Sequence, residues 1–213
     1  MSVERERLIA KTITMLSLQD DMNVRVDAAW MTRGREWYRA IWIECAELMD
    51  HYGGWKWWRA STSDLDQVML EIVDIWHFGL SARIRTDRDH AQAAIQIVDE
   101  WLQPQATPGF LQGVETLAQH ALVKHDMLVS IIPTLLHTIG RDFDALYRAY
   151  IGKKVLNFFR QDNGYREGTY RKQWQGREDN EHLVEVLAQL DSDASEFREH
   201  VYRALAQRYD AAA

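Results

Sequence analysis

The stretch Trp37-Tyr38-Arg39-Ala40-Ile41-Trp42-Ile43-Glu44-Cys45-Ala46-Glu47-Leu48-Met49-Asp50-His51 decides the fold. Trp37, Ile41, Leu48 and their neighbours recur at helical spacing, which predicts an amphipathic helix over about 35–51. Glu44 and Glu47 are three residues apart, so they stand one turn apart on one face. Trp37, Ala40, Ile41, Leu48 and His51 share that face. Glu71 and Asp74 repeat the spacing on a second predicted helix, for which Ser63 and Asp64 offer N-cap chemistry and which runs to about Arg85. Leu70, Ile75 and Phe78 accompany this second pair. Carboxylates on an apolar stripe lose hydration at a cost of several kcal/mol per ion. Like charges facing one another add to that penalty.

Helical periodicity continues away from this pair. Further helices are predicted over about 4–20, 88–101, 109–126, 142–159, 178–190 and 192–209. No segment alternates cleanly with period two, so no strand is predicted. Three prolines and eleven glycines in 213 residues are too few for a turn-dense sandwich or barrel. The length suits one compact domain, or at most two small ones. A hydrophobic share of 46% with 27% charged residues excludes intrinsic disorder. All three prolines lie between Gln103 and Thr134, which predicts long uninterrupted helices in the N-terminal half. Over 161–176, Gly164, Gly168 and Gly176 interleave with charges and aromatics, the composition of an ordered loop rather than a linker.

Twenty-five basic against 32 acidic side chains give a net charge of −7. That balance argues against a nucleic-acid duplex as partner, since phosphate neutralisation needs basic excess. The longest uncharged apolar stretch, Met127 to Gly140, contains Pro133 and is too short to span a bilayer. The first residues are densely charged, unlike a signal peptide. The single cysteine, Cys45, forms no intrachain disulfide and reads as a small buried hydrophobe. A cytoplasmic protein with no membrane partner is the expectation.

Divalent cations relieve crowded carboxylates. Carboxylate oxygens without cysteine or paired histidines suit Mg²⁺, or Mn²⁺ in its place, and such ions also bind substrate phosphates. A short connection between the two helices makes them antiparallel and brings the acidic pairs together. A di-iron bundle needs two Glu-x-x-His motifs, and no histidine here has a glutamate three residues before it. Between the pairs lies Trp55-Lys56-Trp57-Trp58, and three indoles in four residues cannot all enter one helix core. At least one is available to stack on a planar ligand.

The run from Ala40 to Trp58 resembles the metal motif of the dimeric all-α dUTPases, and Glu71 to Phe78 resembles their second metal motif. Asn157 to Trp174, continuing through Gly176 to Asn180, resembles the family's C-terminal phosphate-binding motif. Leu18 to Asn23 resembles its N-terminal base-recognition motif. Four segments occur in the family's order. The resemblance implies an all-α helical bundle of the MazG-like, all-α nucleoside triphosphate pyrophosphatase type, with a metal site between antiparallel helices. It implies one domain over 1–213, with a rigid helical part about 1–150 and a phosphate-binding segment about 151–182.

By the same resemblance the chain is a homodimeric, Mg²⁺-dependent enzyme hydrolysing dUTP, and dUDP, to dUMP. Glu44, Glu47, Glu71 and Asp74 would be the metal ligands, with Glu44 or Glu47, Glu44 being favoured, activating the attacking water. Gln19, Asn23, Trp58 of the tryptophan cluster and His77 would contact base and sugar. Lys153, Asn157, Arg160, Tyr165, Lys172 and Asn180 would hold phosphates. The alternatives are a related pyrophosphatase preferring dCTP or a general dNTP, and a non-catalytic helical interaction module. Elementary electrostatics agrees with the first reading, because a triphosphate approaching an acidic protein needs bound cations to reverse the local field.

Overall fold

The computed structural model describes residues 3–191, 194 and 196–211. These fall into two compact units that divide between Tyr147 and Arg148. The first holds α1 (Val3–Val26), α2 (Trp37–Tyr52), α3 (Leu65–Arg83), α4 (His90–Trp101), α5 (Phe110–Lys124), α6 (Ile132–Thr138) and the start of α7 (Phe143–Asp162). Its central helix is α3, in which Val68, Ile72, Val73, Ile75, Trp76 and Leu80 are wholly buried. A helix that is apolar on nearly every side has to be surrounded. Accordingly α2 packs on α3 and α5, while α1 packs on α3 and α4.

The α2–α3 pair is a helical hairpin. Gly53 ends α2 in the left-handed region (φ 74°), where a Cβ would meet the Ser61 hydroxyl at 2.8 Å. Asp64 caps α3 by accepting from the Gln67 amide at 3.1 Å, and its own amide donates to the His51 carbonyl at 2.9 Å. Ser63, the other cap candidate, instead donates its hydroxyl to the Tyr52 carbonyl. At the opposite end of the pair Trp37 stacks on Phe78 with centroids 6.3 Å apart. Residue 51 beside 64 and residue 37 beside 78 define an antiparallel pair. At the C-terminus of α3, Arg83 binds Glu100 at 2.6 Å and Asp126 at 2.9 Å, tying α3 to α4 and to the turn after α5.

The second unit contains the rest of α7, β1 (Gln173–Trp174), β2 (Arg177–Glu178), α8 (Asp179–Gln189) and α9 (Phe197–Asp210). The two strands pair antiparallel across a turn at Gln175 and Gly176. No strand was expected here, because two-residue strands are too short to show alternation. What anchors the hairpin is Trp174, fully buried against Phe159, Tyr170, His182 and Tyr209. Its indole N–H donates to the Arg171 carbonyl at 2.6 Å. A reciprocal capping box between Glu178 and Glu181 starts α8. The helix expected over 192–209 begins at Ser192, which lies outside the described residues, and α9 is described from Phe197. The short helix α6 also went unpredicted, since Pro133 reads as a breaker in sequence yet occupies the first turn, where its missing N–H costs nothing.

Packing around α3 leaves no room at Gly79. A Cβ there would stand 2.2 Å from Met127 Sδ and 3.0 Å from Met127 Cβ, and Met127 is itself fully buried. Gly79→Ala is expected to destabilise the protein by about 1–3 kcal/mol, the usual cost of overpacking. Urea unfolding should show a lower midpoint at unchanged slope. An unchanged midpoint would mean that Met127 moves aside without cost.

Candidate metal centre and nucleotide contacts

On α2 the buried stripe is Ile41, Cys45 and Leu48, which leaves Glu44 half-buried beside it and Glu47 exposed. Sequence patterning put both glutamates on the apolar face, but the helix is rotated so that Glu47 stands at its solvent edge. On α3 Glu71 is buried. Carboxylate oxygens of Glu44, Glu47 and Glu71 all lie within 4.8 Å of one another. Asp74, one turn beyond Glu71, has Oδ1 3.2 Å from Nδ1 of His77. His51, at the C-terminal end of α2, places Nε2 3.6 Å from Glu71 Oε1.

Burial raises the Glu44 pKa, and the charges of Asp74 and Glu71 raise it further, up to about 8. Burial, with Glu44 adjacent, also pushes the Cys45 thiol up to about 12, as befits an unreactive core cysteine. Hard oxygen donors, surplus negative charge and partial burial are what a divalent cation requires. Glu44, Glu47 and Glu71 therefore fit such an ion, with Asp74 close by.

Three of the four expected base and sugar contacts are linked. Gln19 Nε2 donates to Asn23 Oδ1 at 3.0 Å, and Asn23 Nδ2 donates to Ser81 Oγ at 3.0 Å. Ser81 in turn donates to the His77 carbonyl at 3.0 Å. All four residues are buried. Trp58 stands apart from this chain, 59% exposed in the turn after α2, with the rings of Trp55 and Trp57 5.6 and 5.3 Å away.

In the second unit the expected phosphate contacts gather around Arg160. Its guanidinium donates to both oxygens of Asp179 at 2.8 Å, to Asn157 Oδ1 at 3.2 Å and to Asn180 Oδ1 at 3.4 Å. Lys153 Nζ also reaches Asn180 Oδ1 at 3.4 Å, and the Tyr165 ring lies 6.0 Å from the guanidinium. Burial opposes the Arg160 charge, but the Asp179 bonds outweigh it and hold the pKa above its ordinary value. Lys172 is exposed and pairs with Glu178 at 3.2 Å. Sequence reasoning missed Asp179, which is fully buried and also accepts from the Tyr170 hydroxyl at 2.8 Å. Nothing in the sequence separates it from the surface acids around it.

The architecture is all-α, and its central helix pair carries carboxylates that converge. Residues 11–165 match the family described as dUTPase, and the chain belongs to the all-α dUTPase family. It is accordingly a dUTP diphosphatase acting on a nucleotide substrate. No curated protein matches the chain. No helix among the described residues is long and apolar enough to cross a membrane.

The raised Glu44 pKa gives a signed pH dependence. Between its ordinary value of 4.5 and about 8 the folded chain holds a proton that the unfolded chain has released. Stability therefore falls as pH rises through that window. Cation-free protein should lose melting temperature from about pH 5 to about pH 8 relative to Glu44→Gln, and Mn²⁺ at the upper pH should restore it. Parallel melting profiles for the two proteins would show that Glu44 ionises normally.

Proposed function

We propose that the protein hydrolyses dUTP, and dUDP, to dUMP with Mg²⁺, Mn²⁺ being a substitute, releasing pyrophosphate from dUTP and keeping uracil out of DNA. The observation that carries this reading is the convergence of Glu44, Glu47 and Glu71 across the α2–α3 pair, in a chain of the dUTPase family. Glu44, Glu47, Glu71 and Asp74 hold the cation. When bound, a divalent cation polarises phosphoryl oxygens and lowers the pKa of coordinated water. Glu44 takes the proton of the attacking water, a role open to a carboxylate that lies among the cation ligands and within reach of a coordinated water. Glu47, at the solvent edge, is the other candidate for that role.

Gln19, Asn23, Trp58 and His77 contact base and sugar. Amide groups supply directional donors and acceptors for a base edge, and an exposed indole supplies a stacking surface. Lys153, Asn157, Arg160, Tyr165, Lys172 and Asn180 bind phosphates through charge-assisted hydrogen bonds. The protein works in the cytoplasm as a homodimer, without nucleic-acid or membrane partners. Support for the dimer comes from Trp57 and Trp55, which are 89% and 37% exposed in one turn, an unusual apolar load to leave in water.

Chelation should abolish dUTP hydrolysis, and Mg²⁺ or Mn²⁺ should restore it. Glu47→Gln and Asp74→Asn should each lower turnover by orders of magnitude at unchanged helical content, and near-normal activity in either would remove that residue from the ligand set. Arg160→Ala is a poor probe of phosphate binding, because it leaves the buried Asp179 without its opposite charge. Lys172→Ala is cleaner, since Lys172 is exposed, and should weaken dUTP binding while leaving deoxyuridine binding unchanged. Equal losses for both ligands would assign Lys172 to structure. Sedimentation should give a dimer at micromolar concentration, and a fully active monomer would refute the assembly.

A further inference from the structure

We propose that Ser81 sets base selectivity by locking the side-chain amide of Asn23 in one orientation. The inference rests on the reading above that Asn23 and Gln19 contact the base. Ser81 lies on α3, is 2% exposed and has no part in the metal cluster. Its Oγ is 3.0 Å from the His77 carbonyl oxygen and 3.0 Å from Asn23 Nδ2, 58 residues away in sequence. A carbonyl oxygen only accepts, so the one hydroxyl hydrogen of Ser81 is committed to His77. The lone pairs that remain on Oγ also only accept. The Asn23 atom facing them has to be the nitrogen. Asn23 Oδ1 then points the other way, where it accepts from Gln19 Nε2 at 3.0 Å. One backbone carbonyl thus fixes the donor sense of three successive side chains.

That sense matters for a pyrimidine. An asparagine amide is nearly symmetrical in shape, and turning it by half a rotation exchanges donor and acceptor. Uracil presents an N3–H donor between two carbonyl acceptors, whereas cytosine presents an N3 acceptor beside an amino donor. For a base held in one position, an amide in one sense favours one base, and the turned amide favours the other. After bonding Ser81 and Gln19, Asn23 retains one N–H hydrogen and one Oδ1 lone pair for a base edge. Turning it would set Oδ1 against Ser81 Oγ with no hydrogen between them. The buried bond to Ser81 would be lost, and one such bond is worth about tenfold in an equilibrium.

The lock is tested by the ratio of kcat/KM for dUTP to that for dCTP, measured with full-length wild type, Ser81→Ala and Ser81→Cys. The second variant keeps the side-chain volume with a much weaker acceptor, so it serves where alanine does not fold. Cation affinity is measured in parallel with Mn²⁺. The expected result is a ratio lowered about tenfold in each folded variant, with Mn²⁺ affinity unchanged. A ratio equal to wild type in a folded variant overturns the proposal. So does an equal loss for both nucleotides, which would make Ser81 a packing residue. Wild-type protein without preference between dUTP and dCTP is a different failure, because it removes the base-contact reading on which the lock depends.

Discussion

Negative charge held against a buried helix is the constraint on which this molecule is organised. The helix α3 is enclosed almost completely, yet it carries Glu71 and Asp74 where α2 brings Glu44 and Glu47 towards them. The side chains that act most strongly on Glu44 are themselves carboxylates. A carboxylate half out of water and surrounded by others keeps its proton or gains a cation. The rigid frame prevents the third outcome, in which the groups simply move apart. Trp37 on Phe78 at one end, and the bonds among His51, Tyr52, Ser63 and Asp64 at the other, fasten α2 to α3. Arg83 fastens α3 to its surroundings beyond the site.

Buried charge is handled in two ways in this chain. In the second unit Arg160 is matched atom for atom by Asp179, and Tyr170 and Asn157 complete the bonding. Such a pair is neutral as a whole, and breaking it strands a buried ion. Across the α2–α3 pair carboxylates instead converge on one another, which is a poor way to stabilise a fold and a good way to bind a metal. Stability is supplied elsewhere, by the apolar core of α3 and by the aromatic cluster around Trp174. That division matches the general pattern in which functional sites violate the local rules that the rest of the chain obeys.

Much of this was legible in the sequence because helical periodicity is local. Expected and observed boundaries of α2, α3, α4, α5 and α8 agree within a few residues, since apolar spacing and caps such as Asp64 act within a turn or two. Short elements were not legible. The strands at Gln173–Trp174 and Arg177–Glu178 hold too few residues to show a period, and α6 was hidden by its own proline. Trp174 announced an ordered segment by its type, but its position at the centre of the second unit depends on rings from α7, α8 and α9.

The sequence by itself determined that the chain is helical, and it placed two acidic pairs one turn apart on neighbouring helices. Those are consequences of spacing along a single backbone. Only the tertiary structure decided which carboxylates converge, that Glu47 lies at the rim, that Asp179 is the partner of Arg160, and that Ser81 reaches Asn23. Each of these depends on side chains from different helices meeting where water is excluded. An isolated serine or aspartate looks the same in sequence whether it is solvated or buried, and its partner is chosen by packing rather than by its neighbours along the chain.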